Sequence, residues 1–116
     1  MGDRRQIQIH EGDTPRLFLY THWCGSQLPA RVAAGLDRGR GRWDDDSYLI
    51  RILFDDMTDG NRETTGFGIS WRECDSESPD VIVDVANQRA RIEGEEWLSF
   101  EEFVTKYKSV AVTGRR

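Results

Sequence analysis

The chain has 116 residues, of which 37% are hydrophobic and 32% charged, and its formal net charge at pH 7 is −5. This length and composition predict a single folded domain, residues 1–116, with its own core and a frayed tail at 110–116. The acidic balance excludes a general binder of duplex DNA, because such a protein must neutralise many phosphates with Lys and Arg.

Composition also argues against a membrane protein and a metalloprotein. No apolar run approaches the roughly 18 residues that a membrane-spanning helix needs, and the first residues lack an apolar signal region. The two cysteines, Cys24 and Cys74, do not have the spacing of zinc ligands. We therefore expect a cytoplasmic protein without a metal ion or cofactor.

The first part of the chain predicts two strands. Residues 6–10 alternate polar and apolar side chains, which is the pattern of a half-buried strand. Turn-forming residues at 11–15 lead into residues 17–22, which are largely apolar on both faces. The second strand is therefore expected in the middle of a sheet.

Two helices are predicted next. Apolar residues at every fourth position predict the first, with Ser26 as its N-cap, and the glycine- and arginine-rich run 37–42 ends it. Three aspartates at 44–46 place negative charge at the positive end of a second helix, whose apolar face continues to Met57. We expect both helices on the same face of the sheet.

A third strand alternates large and small side chains. Phe67, Ile69 and Trp71 share one face, which we expect to point into the core. Gly66 and Gly68 share the other face. Glycine inside a strand indicates either the close approach of a ligand or of another backbone, or a bulge, and both interpretations stay open.

The last part of the chain predicts a hairpin and a final helix. Residues 80–85 and 89–93 read as two strands, and the charged neighbours of Ala90 indicate an exposed edge strand. Ser99 and Glu102 have the spacing of a capping box. The predicted order is β-β-α-α-β-β-β-α, an α+β fold with a five-stranded, mainly antiparallel sheet and helices on one face.

The junction between the second strand and the first helix is the candidate ligand-binding site. Tyr20 and Trp23 offer aromatic faces on which a base can stack, and Thr21, His22 and Ser26 offer hydrogen bonds. The start of the helix adds backbone N–H groups that suit an anion. The other residues predicted to contact the ligand are Arg38, Arg40, Arg42, Gly66 and Gly68.

The same residues allow other interpretations. Cys24 and His22 have the chemistry of a nucleophile and a base, but their side chains point the same way only if the strand continues to residue 24. Gly25 argues against that continuation, so we expect no catalytic residue. The histidine and the tryptophans can instead be structural. The acidic loops and the edge strand at Ala90 favour, as the alternative function, an inhibitor or adaptor that binds a host protein.

Four segments carry a resemblance to known sequences, namely Tyr20–Pro29, Trp43–Asp45, Tyr48–Ile52 and Thr64–Ser70. They resemble a family of small, mostly uncharacterised proteins from bacteriophages and actinobacterial genomes. This resemblance implies a phage context without implying an activity. The layout is also similar to that of phage proteins that sequester cyclic nucleotide signals of the Thoeris defence system, which implies a dimer or larger oligomer that binds its ligand without turnover.

Together these expectations describe a non-enzymatic protein in the host cytoplasm. It sequesters a small anionic ligand, such as a nucleotide signal, and so acts as a counter-defence factor. Its predicted partners are this ligand, or in the alternative a host protein, together with further copies of the chain.

Overall fold

The computed structural model describes residues 2–61 and 63–108, and within them the chain forms an α+β fold. Six strands make one sheet, and three α-helices pack on one of its faces. The elements are β1 (Arg5–Glu11), β2 (Thr14–Thr21), α1 (Leu28–Arg38), α2 (Asp46–Thr58), β3 (Phe67–Ser70), β4 (Val81–Asp84), β5 (Arg89–Ile92), β6 (Leu98–Ser99) and α3 (Phe100–Tyr107). The tail predicted at 110–116 lies outside the described residues.

The sheet is mixed, in the order β3-β2-β1-β4-β5-β6. Strands β1 and β4 are parallel, whereas every other neighbouring pair is antiparallel. The prediction of five strands was therefore one strand short. The additional strand, β6, has two residues and is too short to produce an alternating pattern.

One face of the sheet and the three helices enclose the apolar core. The predicted stripe on α1 is confirmed, because Leu28, Val32 and Leu36 are all buried there. The capping box of α3 is also confirmed. The backbone N–H of Glu102 donates to Ser99 Oγ at 3.0 Å, and the backbone N–H of Ser99 donates to Glu102 Oε1 at 2.8 Å.

The second face of the sheet carries polar side chains beside the buried Phe18 and Ile82, and the loop before β4 partly covers it. The side-chain amides of Gln6 and Gln8 donate to the same oxygen of Asp80, at 2.8 and 2.6 Å. Gln6 also bonds both backbone groups of Cys74, accepting at 2.8 Å and donating at 3.1 Å. These bonds attach the loop to the centre of the sheet and satisfy polar groups that burial would otherwise penalise.

Two predictions about edges were wrong. Ala90 is fully buried and pairs with both Val83 and Leu98, because β6 extends the sheet beyond β5. At the other end, Ile69 and Trp71 are 60% and 79% exposed instead of buried. The strand β3, which contains Ile69 and ends one residue before Trp71, is the outermost strand, and of its large side chains only that of Phe67 packs against the core.

None of the helices in the described part of the chain combines the length and the apolar character needed to cross a membrane.

Candidate functional site

Thr21 organises the junction between β2 and α1 from a fully buried position. Its hydroxyl oxygen accepts hydrogen bonds from the backbone N–H groups of Trp23 and Cys24, at 3.1 and 3.2 Å. A side-chain oxygen that bonds the backbone two and three residues ahead stabilises a tight turn. Thr21 therefore shapes the junction, and its hydroxyl is not accessible to a ligand.

His22 connects three segments through its backbone. Its N–H donates to the carbonyl of Gly66, and its own carbonyl accepts from the N–H of Asp3, both at 2.8 Å. The imidazole packs edge-on against the Trp23 ring, with 4.6 Å between ring centroids and 78° between planes. The thiol of Cys24 has other neighbours, namely Thr21 Oγ1 at 3.2 Å and the Met57 carbonyl at 3.4 Å.

Trp23 lies on the surface, where 53% of it is exposed, and covers the start of β3. Its indole Nε1–H donates to Thr64 Oγ1 at 3.0 Å. A Cβ added to Gly66 would overlap the indole ring, whereas one added to Gly68 would meet nothing within 4 Å. The glycine at position 66 thus allows close approach of the chain's own tryptophan.

Trp23 borders an open cleft between the start of α1 and the end of α2. The cleft has a volume of about 530 Å³, which is within the range of small-molecule sites. It is lined by Trp23, Cys24, Gln27, Arg31, Thr58, Asp59, Asn61, Thr64 and Phe67. Trp23 is the one residue of the predicted set that is in this lining.

Arg31, which the sequence analysis did not single out, is held in this cleft by neutral oxygens. Its Nη1 donates to the Met57 carbonyl at 2.8 Å, and its Nη2 donates to Gln27 Oε1 at 2.8 Å. Across residues 2–61 and 63–108, no carboxylate forms an ion pair with it. The sequence signal that could have identified this contact is the spacing of Gln27 and Arg31, because side chains four residues apart meet on a helix.

The three predicted arginines do not converge on this cleft. Arg38 lines an adjoining trough with Phe54 and Asp56, whereas Arg40 and Arg42 line neither the cleft nor the trough. Residues 40–42 form a short 3-10 turn, and acidic side chains within the protein hold all three guanidinium groups. The ion pairs are Arg38–Asp56 (2.9 Å), Arg40–Asp37 (2.8 Å), Arg40–Glu101 and Arg42–Asp45 (3.3 Å).

The predicted anion site at the start of the first helix is filled by the chain's own carboxylate. The backbone N–H and the hydroxyl of Ser26 donate to Asp3 Oδ2 at 2.9 and 2.7 Å. These two hydrogen bonds hold the pKa of Asp3 below its ordinary value. Ser26 lies in a short 3-10 turn before α1 instead of serving as its N-cap, so its hydroxyl binds Asp3.

Tyr20 and Gly68 lie apart from Trp23. They are paired across β2 and β3, and they are on the opposite face of the sheet from Leu19, which belongs to the core. Burial raises the pKa of the Tyr20 phenol. The predicted site is therefore divided between two faces of the sheet, and a single small ligand at Trp23 would not contact Tyr20 or Gly68.

The outer side of β3 presents a different kind of surface, which we call the β3 edge. It comprises the side of Phe67–Ser70 with which no strand of the described residues pairs, together with the exposed side chains of Ile69 and Trp71. Glu63 precedes this surface, and Glu73 and Asp75 follow it, all three exposed. Apolar side chains between acidic flanks are suited to contacting another protein.

Among the described residues, no group of His, Cys, Asp and Glu side chains is arranged to hold a metal ion. Comparison with protein-family models, with curated proteins and with solved structures found no match.

Proposed function

We propose that this protein is a non-enzymatic protein-binding domain that engages its partner through the β3 edge. The observation that carries the proposal is the exposure of Ile69, in the uncharged edge strand β3, and of Trp71, one residue after the end of that strand, at 60% and 79%. Exposing apolar surface to water costs about 25 cal/mol per Å². A contiguous exposed apolar patch is typical of a binding surface, and tryptophan contributes strongly to such interfaces.

This proposal keeps the adaptor hypothesis but moves its surface from β5 to β3. Ala90 is paired with Val83 on one side and with Leu98 on the other, so it does not lie at an open edge. At the β3 edge, no other described strand pairs with the outer side of β3, and side chains are exposed. The acidic loops of the sequence favour a host protein as the partner.

A displayed library of short random peptides, selected on the immobilised full chain, tests the proposal. We expect enriched peptides whose affinity falls at least about tenfold for Trp71→Ser, because central interface tryptophans carry much of the binding energy. Tyr48→Ser is the matched control, since Tyr48 is an aromatic residue that is 51% exposed on α2. Failure to enrich any peptide, or equal binding by Trp71→Ser and the wild type, would contradict the proposal.

A second candidate function, retention of a small anionic ligand in the cleft beside Trp23, is favoured by Arg31. This guanidinium bonds neutral oxygens, and its charge can still attract an anion. The cleft also contains Asp59, and Asp3 already fills the start of α1, so we place this function second. Sequestration of a nucleotide signal for counter-defence stays a prediction.

Thermal unfolding in the presence of AMP, cyclic AMP or inorganic phosphate tests this candidate. A ligand that binds the folded state raises the melting temperature as its concentration increases. We expect this increase with a nucleotide, its loss in Arg31→Gln, and its retention in Arg40→Gln, whose arginine lies outside the cleft. A melting temperature that none of the three compounds changes would rule out this class of ligand.

A further inference from the structure

We infer that the partner is an extended, basic segment that joins the sheet as a further strand beside β3. This inference rests on the proposed function and adds the partner's conformation and charge. Three features of the β3 edge carry this inference. They are the direction of its backbone groups, the lack of residues in β3 that would block another strand, and the charged residues beside β3.

The backbone of β3 presents hydrogen-bonding groups to its open side. The N–H of His22 donates to the carbonyl of Gly66, and Tyr20 is paired with Gly68. Because residues in an antiparallel pair alternate in direction, the carbonyl of Gly66 and the backbone groups of Gly68 turn toward β2, while the N–H of Gly66 donates to Thr64 Oγ1. Phe67 and Ile69 therefore turn their N–H and C=O groups outward, where an added strand can bond them.

The β3 edge lacks the features that keep edge strands apart. Soluble proteins protect such edges with charged residues, proline, bulges or very short strands. The four residues of β3, Phe67–Ser70, include no charge and no proline, and they pair with β2 in unbroken register. The strand is therefore a ready template for the addition of another strand.

The exposed side chains of Ile69 and Trp71 determine which side chains a partner strand needs in order to contact them. Ile69 lies within β3, and Trp71 follows one residue after its end. A strand added beside β3 would place every second side chain on the face of Ile69, next to the exposed Trp71. The partner segment should therefore have apolar residues at alternate positions.

The charges favour a basic partner. Glu63, Glu73 and Asp75 flank the strand, and none of them forms an ion pair within the described part of the chain. Arg72 contributes one opposing charge. Complementary charge across an interface speeds association and disfavours wrong partners. A second copy of this chain, with a net charge of −5, would bring like charges together.

The peptides selected on the full chain provide the probe for this inference. We expect them to combine alternating apolar residues with flanking Lys or Arg, and to bind less tightly as salt increases. Ile69→Pro removes an outward N–H without removing a bond to β2, so affinity should fall about tenfold or more. Ile69→Thr, which keeps the N–H, is the matched control and should bind more tightly than Ile69→Pro.

Amide hydrogen exchange on the wild-type chain gives a second readout that does not depend on a variant. On peptide binding, exchange of the Phe67 and Ile69 amides should slow most within β3, because these amides face the added strand. Unchanged exchange at both positions, together with loss of binding in Trp71→Ser, would overturn strand addition and leave the proposed function standing.

The remaining outcomes also separate the two proposals. Selected peptides that are acidic would overturn the inferred charge of the partner. A dimer of the chain that forms with rising concentration and is dissolved by Ile69→Pro would assign the β3 edge to a second copy. If no peptide is enriched, the proposed function fails and the inference fails with it.

Discussion

The two edges of the sheet differ in how they are protected from pairing with another strand. At one edge, β6 has two residues and leads directly into α3, whose first N–H, that of Phe100, donates to the Gln88 carbonyl at 3.0 Å. At the other edge, β3 has four uncharged residues and two exposed apolar side chains nearby. The first edge is protected by its short length and by the helix that follows, whereas the second is open.

The difference between the two edges extends to the side chains near them. Near the closed edge, the guanidinium of Arg89 lies 4.1 Å from the Trp97 ring centre and bonds the buried carboxylate of Asp84 at 2.8 Å. Near the open edge, Trp71 is largely exposed to solvent. Aromatic residues thus support the fold at one edge and are available for binding at the other.

Substitution of Asp84 should have the largest effect on the free energy of unfolding, because Asp84 binds the groups that hold the closed edge together. This fully buried carboxylate accepts bonds from Arg89 and from the backbone N–H groups of Gly12, Ala86 and Asn87. Asp84→Ala leaves those donors without an acceptor and should lower the free energy of unfolding by about 3–5 kcal/mol. Urea unfolding followed by circular dichroism measures this loss.

Asp13 provides the matched control, since it forms a longer pair with the same arginine at 3.5 Å and its side chain is 96% exposed. Asp13→Ala should cost less than about 1 kcal/mol. Equal losses in the two variants would mean that Asp84 does not hold this edge.

The same carboxylate predicts how stability depends on pH. Burial alone would raise the pKa of Asp84, but hydrogen bonds from Asn87, Arg89 and Gly12 outweigh burial and hold the pKa below its ordinary value of 3.8. A lowered pKa in the folded state gives stability that is present above pH 3.8 and is lost as pH falls through the folded value. The difference in unfolding free energy between the wild type and Asp84→Asn should therefore shrink below pH 3.8.

Much of the fold could be predicted from the sequence because its signals are local. Alternation and helical periodicity identify five strands and three helices, and the spacing of Ser99 and Glu102 identifies the start of α3. The parallel pairing of β1 with β4 could not be predicted in this way. It joins segments more than 70 residues apart, such as Ile7 and Val81, and leaves no periodic signal in either.

The candidate site was less predictable for a related reason. Alternation indicates which residues share a face, but it does not indicate whether another element covers that face, and so Ile69 and Trp71 were assigned to the core. The partner of Ser26 is Asp3, which lies 23 positions away in the sequence. Contacts of this kind depend on tertiary structure and leave no mark on local spacing.

A smaller effect is expected from Gly66→Ala, which disturbs the entry into the open edge. The new methyl group would displace the Trp23 ring and break its bond to Thr64. Because the ring is at the end of an exposed side chain, the cost should be about 1 kcal/mol, the value of one hydrogen bond. Urea unfolding gives this cost, and quenching of tryptophan fluorescence by acrylamide should increase.

Gly68→Ala is the matched control on the same strand, because nothing lies within 4 Å of the added carbon. It should leave stability unchanged or slightly higher, since glycine loses more conformational freedom on folding than alanine does. If both glycine variants lose the same stability, the contact with Trp23 is not the reason why position 66 requires glycine.

The smallest effect on stability should come from Trp71→Ser. Truncation of a buried aromatic residue typically costs about 3–5 kcal/mol, whereas changes at exposed positions are usually within about 0.5 kcal/mol. Trp71 is 79% exposed, so the second value applies, and Phe103→Ala, at a fully buried aromatic position, should show the first. Urea unfolding of both variants measures these values.

This pair of variants separates two reasons for a tryptophan beside an edge strand. If Trp71→Ser lost as much stability as Phe103→Ala, the residue would belong to the core, as the alternating pattern alone suggests. The exposed fraction predicts instead that serine at this position leaves the folded state intact and alters binding. Retained stability with lost peptide binding would then place the role of Trp71 in recognition, because no structural loss would account for the lost affinity.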